Sequence, residues 1–299
     1  MALIDPVLAG LPVTDAKQER WRKTYIRFTS NTLSIVGLLM VLSVVFCAIF
    51  APWIAPYPQD AGDTIRFDSA SESPSVDHLM GTDSLGRDIL SRSLFGARIS
   101  LMMAGVVLGG AITIGVTTGL IAGYVGGWPN AIIMRITDVF LSVPPILLAL
   151  AVTAVLGANL WNAMIAITFA WWPWYTRLVQ GEVLSVKQEE FVEASESLGA
   201  SWIRVTFREI LPNIVSPITV KATLDCGFVI LVGAGLAFLG LGAQPPTPDW
   251  GAMIAQGRGN VTNDWWIATM PGLAISFTVL GFNLLGDGLR DMFDVDVQL

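Results

Sequence analysis

The chain has 299 residues, 53% of them hydrophobic and only 14% charged. Soluble domains carry about 25% charged residues, so this composition excludes an ordinary water-soluble globule and points to lipid as solvent. The net charge of −7 excludes nucleic acid as a partner, because a nucleic-acid binder needs a basic face.

Residues 1–31 read as a polar tail, with Lys17, Arg20, Arg22, Lys23 and Arg27 ahead of an apolar run over 32–55. That run suffices for a span of about 20 residues. It begins too late for a cleaved leader and reads as an uncleaved anchor that ends among Pro52, Pro56 and Pro58.

Residues 56–97 form a loop rich in Asp, Ser and Pro, for which an irregular tether and an ordered segment are equal readings over 57–77. Thr82 or Asp83 is the expected cap of a short helix running toward Phe95 at the membrane surface. The second span is expected over 98–123, where Gly105 with Gly109, then Gly115, Gly119 and Gly123, predict a groove for close helix packing. Gly126-Gly127-Trp128-Pro129 reads as a tight turn. A third span over 131–156 carries Pro144-Pro145, which predict a kink. A fourth over 160–178 ends in an aromatic belt at Trp171, Trp172, Trp174 and Tyr175.

Residues 179–213 are charged and lie between apolar segments. Glu189, Glu190 and Glu193 suit the start of a helix, and Gly199 suits its left-handed end. Ser201 is the expected cap of a second helix that Pro212 closes. On spacing alone a solvated connecting loop is an equal reading. A fifth span over 214–240, a Gly/Pro-rich loop over 241–265, a sixth span over 266–288 and a tail over 289–299 complete the chain. The expected fold class is all-α, a polytopic membrane protein with six transmembrane helices.

Asp225 falls about 16 Å into the fifth span at 1.5 Å per residue, where a charge normally faces a partner or a watery path. Lys221 stands one turn earlier on the same face. A path-lining or subunit-interface role and a purely structural pair are both open, and Asn283 is a further candidate for the path. Asp138 and Asp287 sit near span ends and read as structural. No nucleophile with a paired base is present, so no catalytic residue is assigned. His78 is the only histidine, and Cys47 and Cys226 lie in apolar runs, so no metal site is assigned either. None of the four lysines follows a glycine, which leaves no phosphate-binding loop for ATP.

Glu193, Ala194 and Ser195, with Leu198-Gly199 and Ile210-Leu211-Pro212, resemble the EAA loop of bacterial ABC importer permeases, although that family usually has a second alanine where Ser195 stands. His78 to Asp83 with Gly86-Arg87-Asp88, Phe238 to Gly242 with Gln244 to Pro248 and Trp250-Gly251, and Phe282 to Asp291 are similar to the second permease of dipeptide, oligopeptide and nickel importers. The resemblance implies an ABC importer type I permease-like bundle, with the permease domain over about 98–290. It implies that the 179–213 loop is a coupling helix docking on a cytoplasmic ATPase. It also implies a homologous second permease, two ATPase subunits that hold ATP and Mg, and an extracytoplasmic substrate-binding protein. Lys221 stands where the family leads one to expect glutamine.

Placing the N-terminus inside puts twelve of the seventeen basic residues on the cytoplasmic side, so the positive-inside rule sets both termini and the Glu193 loop in the cytoplasm; the resemblance implies that the membrane is a bacterial inner membrane. The competing reading is an ion-gradient-driven secondary transporter, for which Asp225 is the only clear midplane acid.

Overall fold

Asn31 caps helix α1, Thr32–Ile54, by accepting a hydrogen bond from the Leu33 amide (3.0 Å). In this computed structural model residues 28–29 and 31–293 are described, so the basic cluster from Lys17 to Arg27 and the last residues of the tail lie outside the described residues. All regular structure among the described residues is helical.

The second helix departs from expectation. Asp88, not Thr82 or Asp83, is its cap, accepting from the Ser91 amide (2.7 Å), and α2 runs without interruption over Ile89–Val125. The expected surface helix and second span are therefore one rod of 37 residues, about 55 Å long. No proline interrupts 89–98. Gly96 lets the Trp250 ring lie against the backbone, since a Cβ there would sit 2.8 Å from that ring.

Gly126 (φ 68°) and Gly127 (φ 53°) turn the chain at once into α3, Gly127–Leu141. The turn is tighter than expected, because Trp128 and Pro129 already belong to this helix. The predicted kink at Pro144-Pro145 is a full break: α3 and α4, Pro145–Leu156, meet at 88°. Pro145 excludes helical angles from the residue before it, and Pro144 takes ψ 130°. The next helix, α5, covers Leu160–Val186, extending past the expected 178, and Asn159 caps it through the Asn162 amide (2.9 Å).

Helix α6 covers Glu190–Ser197, and the segment after it also departs from expectation. Pro212 does not close the following helix; α7 runs Trp202–Phe238, through a π-helical stretch Val205–Ile210 and on into the bundle. There the ladder changes from π-helical to α-helical spacing, and Pro212, the second residue after that junction, is carried within the continuous rod. The 241–265 loop also holds a helix, α8, Trp250–Gly257, capped by Asp249 through the Ala252 amide (3.1 Å). The last helix is α9, Trp265–Phe293.

By length and composition α1, α2, α7 and α9 can cross a membrane, and the bent pair α3–α4 counts as a fifth if it is one span. Helix α5 coincides with the remaining expected span but is not among these.

Gly115, Gly119 and Gly123 form the seam between α2 and α5 as expected. A Cβ on Gly115 would meet Tyr175 Cβ at 2.4 Å, and one on Gly119 would meet Val179 Cβ at 2.7 Å. Gly105 and Gly109 do not share this seam, and a Cβ on either meets nothing within 4 Å. The step of six residues from Gly109 to Gly115 rotates about 240° around the helix, which puts the two sets on different faces.

One end of the bundle is tied by a buried ionic knot. Asp83 accepts from Arg87 Nε (2.8 Å) and from the Leu85 and Arg87 amides. Asp60 pairs with Arg66 and accepts from the Asp88 amide (2.8 Å), while His78 Nδ1 meets Asp88 Oδ1 at 2.9 Å. Trp250 Nε1 donates to the Ser93 carbonyl and Trp266 Nε1 to that of Thr82. Thus the 78–88 motif is a clasp that fixes the first loop onto α2, α8 and α9.

Candidate coupling face and membrane charge pair

The opposite end carries 187–212. Glu190 and Glu193 occupy the first turn of α6, where the positive end of the helix favours carboxylates. Its other end is closed by a Schellman motif: the Ala200 amide donates to Ser195 O (3.1 Å) and the Gly199 amide to Glu196 O (2.9 Å). Gly199, at φ 81°, takes the left-handed position. Ser201 occupies the cap position of α7, but its side chain makes no capping hydrogen bond.

The predicted residues sort into two groups. Glu193 and Ala194 are exposed and Leu198 is 89% exposed, whereas Ile210 is fully buried and Leu211 half-buried; Pro212 is exposed. Ile210 packs in one core cluster with Val192 and Val205, so it anchors the elbow and does not present a surface. The outward side is apolar: Phe191, Leu198, Trp202, Ile203 and Phe207 are all exposed, with Arg204 and Arg208 among them.

A joint that spacing did not reveal links this elbow to α2. Tyr124 Oη donates to Glu196 Oε1 (2.8 Å), Lys187 Nζ donates to the Tyr124 carbonyl (2.8 Å), and the same ammonium stands 4.9 Å from the Tyr124 ring centroid. The available signal was an aromatic residue at the end of a long apolar helix, the usual interfacial position.

Deeper in the bundle Lys221 Nζ lies 3.1 Å from Asp225 Oδ2, with side-chain exposures of 27% and 8%. The ammonium also stands near the rings of Trp174 (5.6 Å) and Tyr175 (5.4 Å), which α5 contributes. Asn283 is half-buried on α9 and makes no hydrogen bond with this pair. Asp138 pairs with Arg177, tying α3 to α5.

Residues 115–298 match the family described as binding-protein-dependent transport system inner membrane component. This chain belongs to that family. Residues 19–74 match the N-terminal TM domain of oligopeptide transport permease C. The permease is 43% identical to the dipeptide transport system permease protein DppC of Alkalihalophilus pseudofirmus, over 92% of this chain and 89% of the relative. It is 46% identical to the glutathione transport system permease protein GsiD of Shigella boydii, over 98% and 96% respectively. An inward-facing structure of the MetNI methionine ABC transporter shares the fold, with a TM-score of 0.57 at 19% identity, over 68% of this chain and 97% of that one. The chain is a multi-pass permease subunit of an ABC importer, and membership displaces the ion-gradient alternative.

Proposed function

We propose that this permease forms half of the translocation pathway for dipeptides or a related small solute such as glutathione, and that partner ATPase subunits drive it through the elbow at 187–212. The observation that carries the reading is the exposed apolar face of Phe191, Leu198, Trp202, Ile203 and Phe207. Such a face is costly in water and suits a groove on another protein.

The remaining half of the pathway belongs to a homologous second permease, and the two ATPase chains hold ATP and Mg. A binding protein delivers solute at the 57–88 end, which this reading places outside, with both termini in the cytoplasm. The elbow works as a lever because α7 is continuous from Trp202 into the bundle, so closure of the ATPase pair moves the docked face and the membrane part of α7 as one body. The buried Val192, Val205 and Ile210 prevent the elbow from hinging freely. Lys221, Asp225 and Asn283 face the pathway or the second permease in this scheme.

The test is uptake by the complete importer in proteoliposomes. Dipeptide or glutathione accumulation that needs both ATP and the binding protein supports the reading; accumulation by this chain alone on a proton or sodium gradient overturns it.

A further inference from the structure

At the 57–88 end a cavity of about 580 Å³ opens between α2 and the segment leading to α8. It is lined by Ala61, Phe95, Arg98, Ile99, Met102 and residues 246–248. Phe95, Arg98, Ile99 and Met102 follow i, i+3, i+4, i+7 spacing and share one face of α2. The volume is in the range of small-molecule sites, about 300–1,000 Å³.

We infer that this cavity receives the transported solute and that Arg98 binds its carboxylate. The inference rests on the reading of the solute as peptide-like. Arg98 is the one charged residue of the lining. Of the other basic residues at this end, Arg66, Arg87 and Arg92 are engaged by Asp60 and Asp83, and Arg258 lies over the Phe238 ring. Arg98 has no ion pair among the described residues and is exposed to the cavity. A guanidinium free of carboxylates, in a chain of net charge −7, is the complement of an anionic group that arrives from outside.

The walls are held before any ligand arrives. The buried Arg92 donates through Nη1 to the Asp60 carbonyl (2.8 Å) and through Nη2 to the Pro246 carbonyl (3.4 Å). Its side chain thus fixes the Ala61 wall and the 246–248 wall against α2. A guanidinium fork that donates to two carboxylate oxygens, beside the apolar Phe95, Ile99 and Met102, selects a solute with a free carboxyl end and an apolar side chain. Dipeptides and glutathione both carry free carboxylates at neutral pH.

The experiment uses the complete importer in proteoliposomes, supplied with saturating binding protein loaded with alanyl-phenylalanine or with its C-terminal amide. Arg98→Gln is expected to slow uptake of the free acid about tenfold while the amide stays within about twofold, and Arg98→Lys to retain most free-acid uptake. A diazirine-bearing dipeptide photolysed on the assembled importer should label Phe95 or Met102 in the wild type and not in Arg98→Gln. Equal loss for both peptides, no loss, labelling only elsewhere, or dissociation of the second permease from Arg98→Gln each overturns the site. A wild-type importer that carries neither peptide, yet carries another solute with ATP and binding protein, overturns the peptide reading and this site with it.

Discussion

Tyr124 gives its phenolic hydrogen to Glu196 across 2.8 Å, so the last turn of α2 and the helix of the exposed elbow move together. Tyr124→Phe keeps the ring against Lys187 but removes this bond. It should destabilise the elbow by about 1 kcal/mol. Hydrogen exchange over 190–197 should accelerate while the transmembrane helices keep their protection, and Glu196→Gln, which retains an acceptor, should leave exchange near the wild-type rate.

The α2–α5 seam predicts opposite outcomes for glycines of the same helix. Gly115→Ala places a methyl group 2.4 Å from Tyr175 Cβ and 2.8 Å from the Trp172 carbonyl, and backbone cannot retreat cheaply. A loss of about 1–3 kcal/mol is expected from thermal unfolding in detergent. Gly105→Ala meets nothing within 4 Å and should leave the isolated subunit unchanged, or more stable by up to about 1 kcal/mol.

The pair in α7 predicts asymmetry between single and double changes. Lys221→Met leaves the Asp225 carboxylate buried without its counter-ion and should cost about 3 kcal/mol, the low end for a broken buried pair because Lys221 is partly exposed. Adding Asp225→Leu should recover most of the loss. A double variant as unstable as the single one would show that the charges act separately.

Asp249 supplies a pH dependence outside the spans. Burial pushes its carboxyl above the ordinary 3.8, against the opposing pull of hydrogen bonds from the Ala252 and Gly251 amides. The folded state therefore holds the proton to higher pH than the unfolded state, and stability falls as pH rises from 3.8 through the raised folded value. Asp249→Asn keeps a capping oxygen without the charge. It should melt above the wild type at neutral pH, with the gap closing on acidification toward about pH 4. Asp249→Ala loses the cap and should cost about 1 kcal/mol.

Much of this architecture is legible in the sequence because backbone chemistry dictates it locally. Gly199 ends α6 in the left-handed region, Pro144-Pro145 breaks the chain, and Gly115, Gly119 and Gly123 mark a seam. The failures are tertiary. Pro212 looks like a stop but sits just past a π-helical stretch that local patterns do not announce, and the helix runs on through it. Asp88 looks no better a cap than Asp83 until the clasp occupies the Asp83 carboxylate with Arg87. Helix α8 hides in a Gly/Pro-rich stretch because Trp250, buried against Gly96, holds it. Of the proposed coupling site, the motif residues are readable; that Ile210 faces inward while Phe207 faces out depends on how the elbow packs.

The most direct test of force transmission through the elbow is Leu198→Asp, read by ATPase co-purification and ATP-driven uptake together. Leu198 is 89% exposed and supports no core, so the subunit itself should fold and insert normally. The ATPase chains are expected to be lost from the complex or greatly weakened on it, and uptake to fall with them. Full retention of the ATPase with undiminished uptake would contradict force transmission through the elbow.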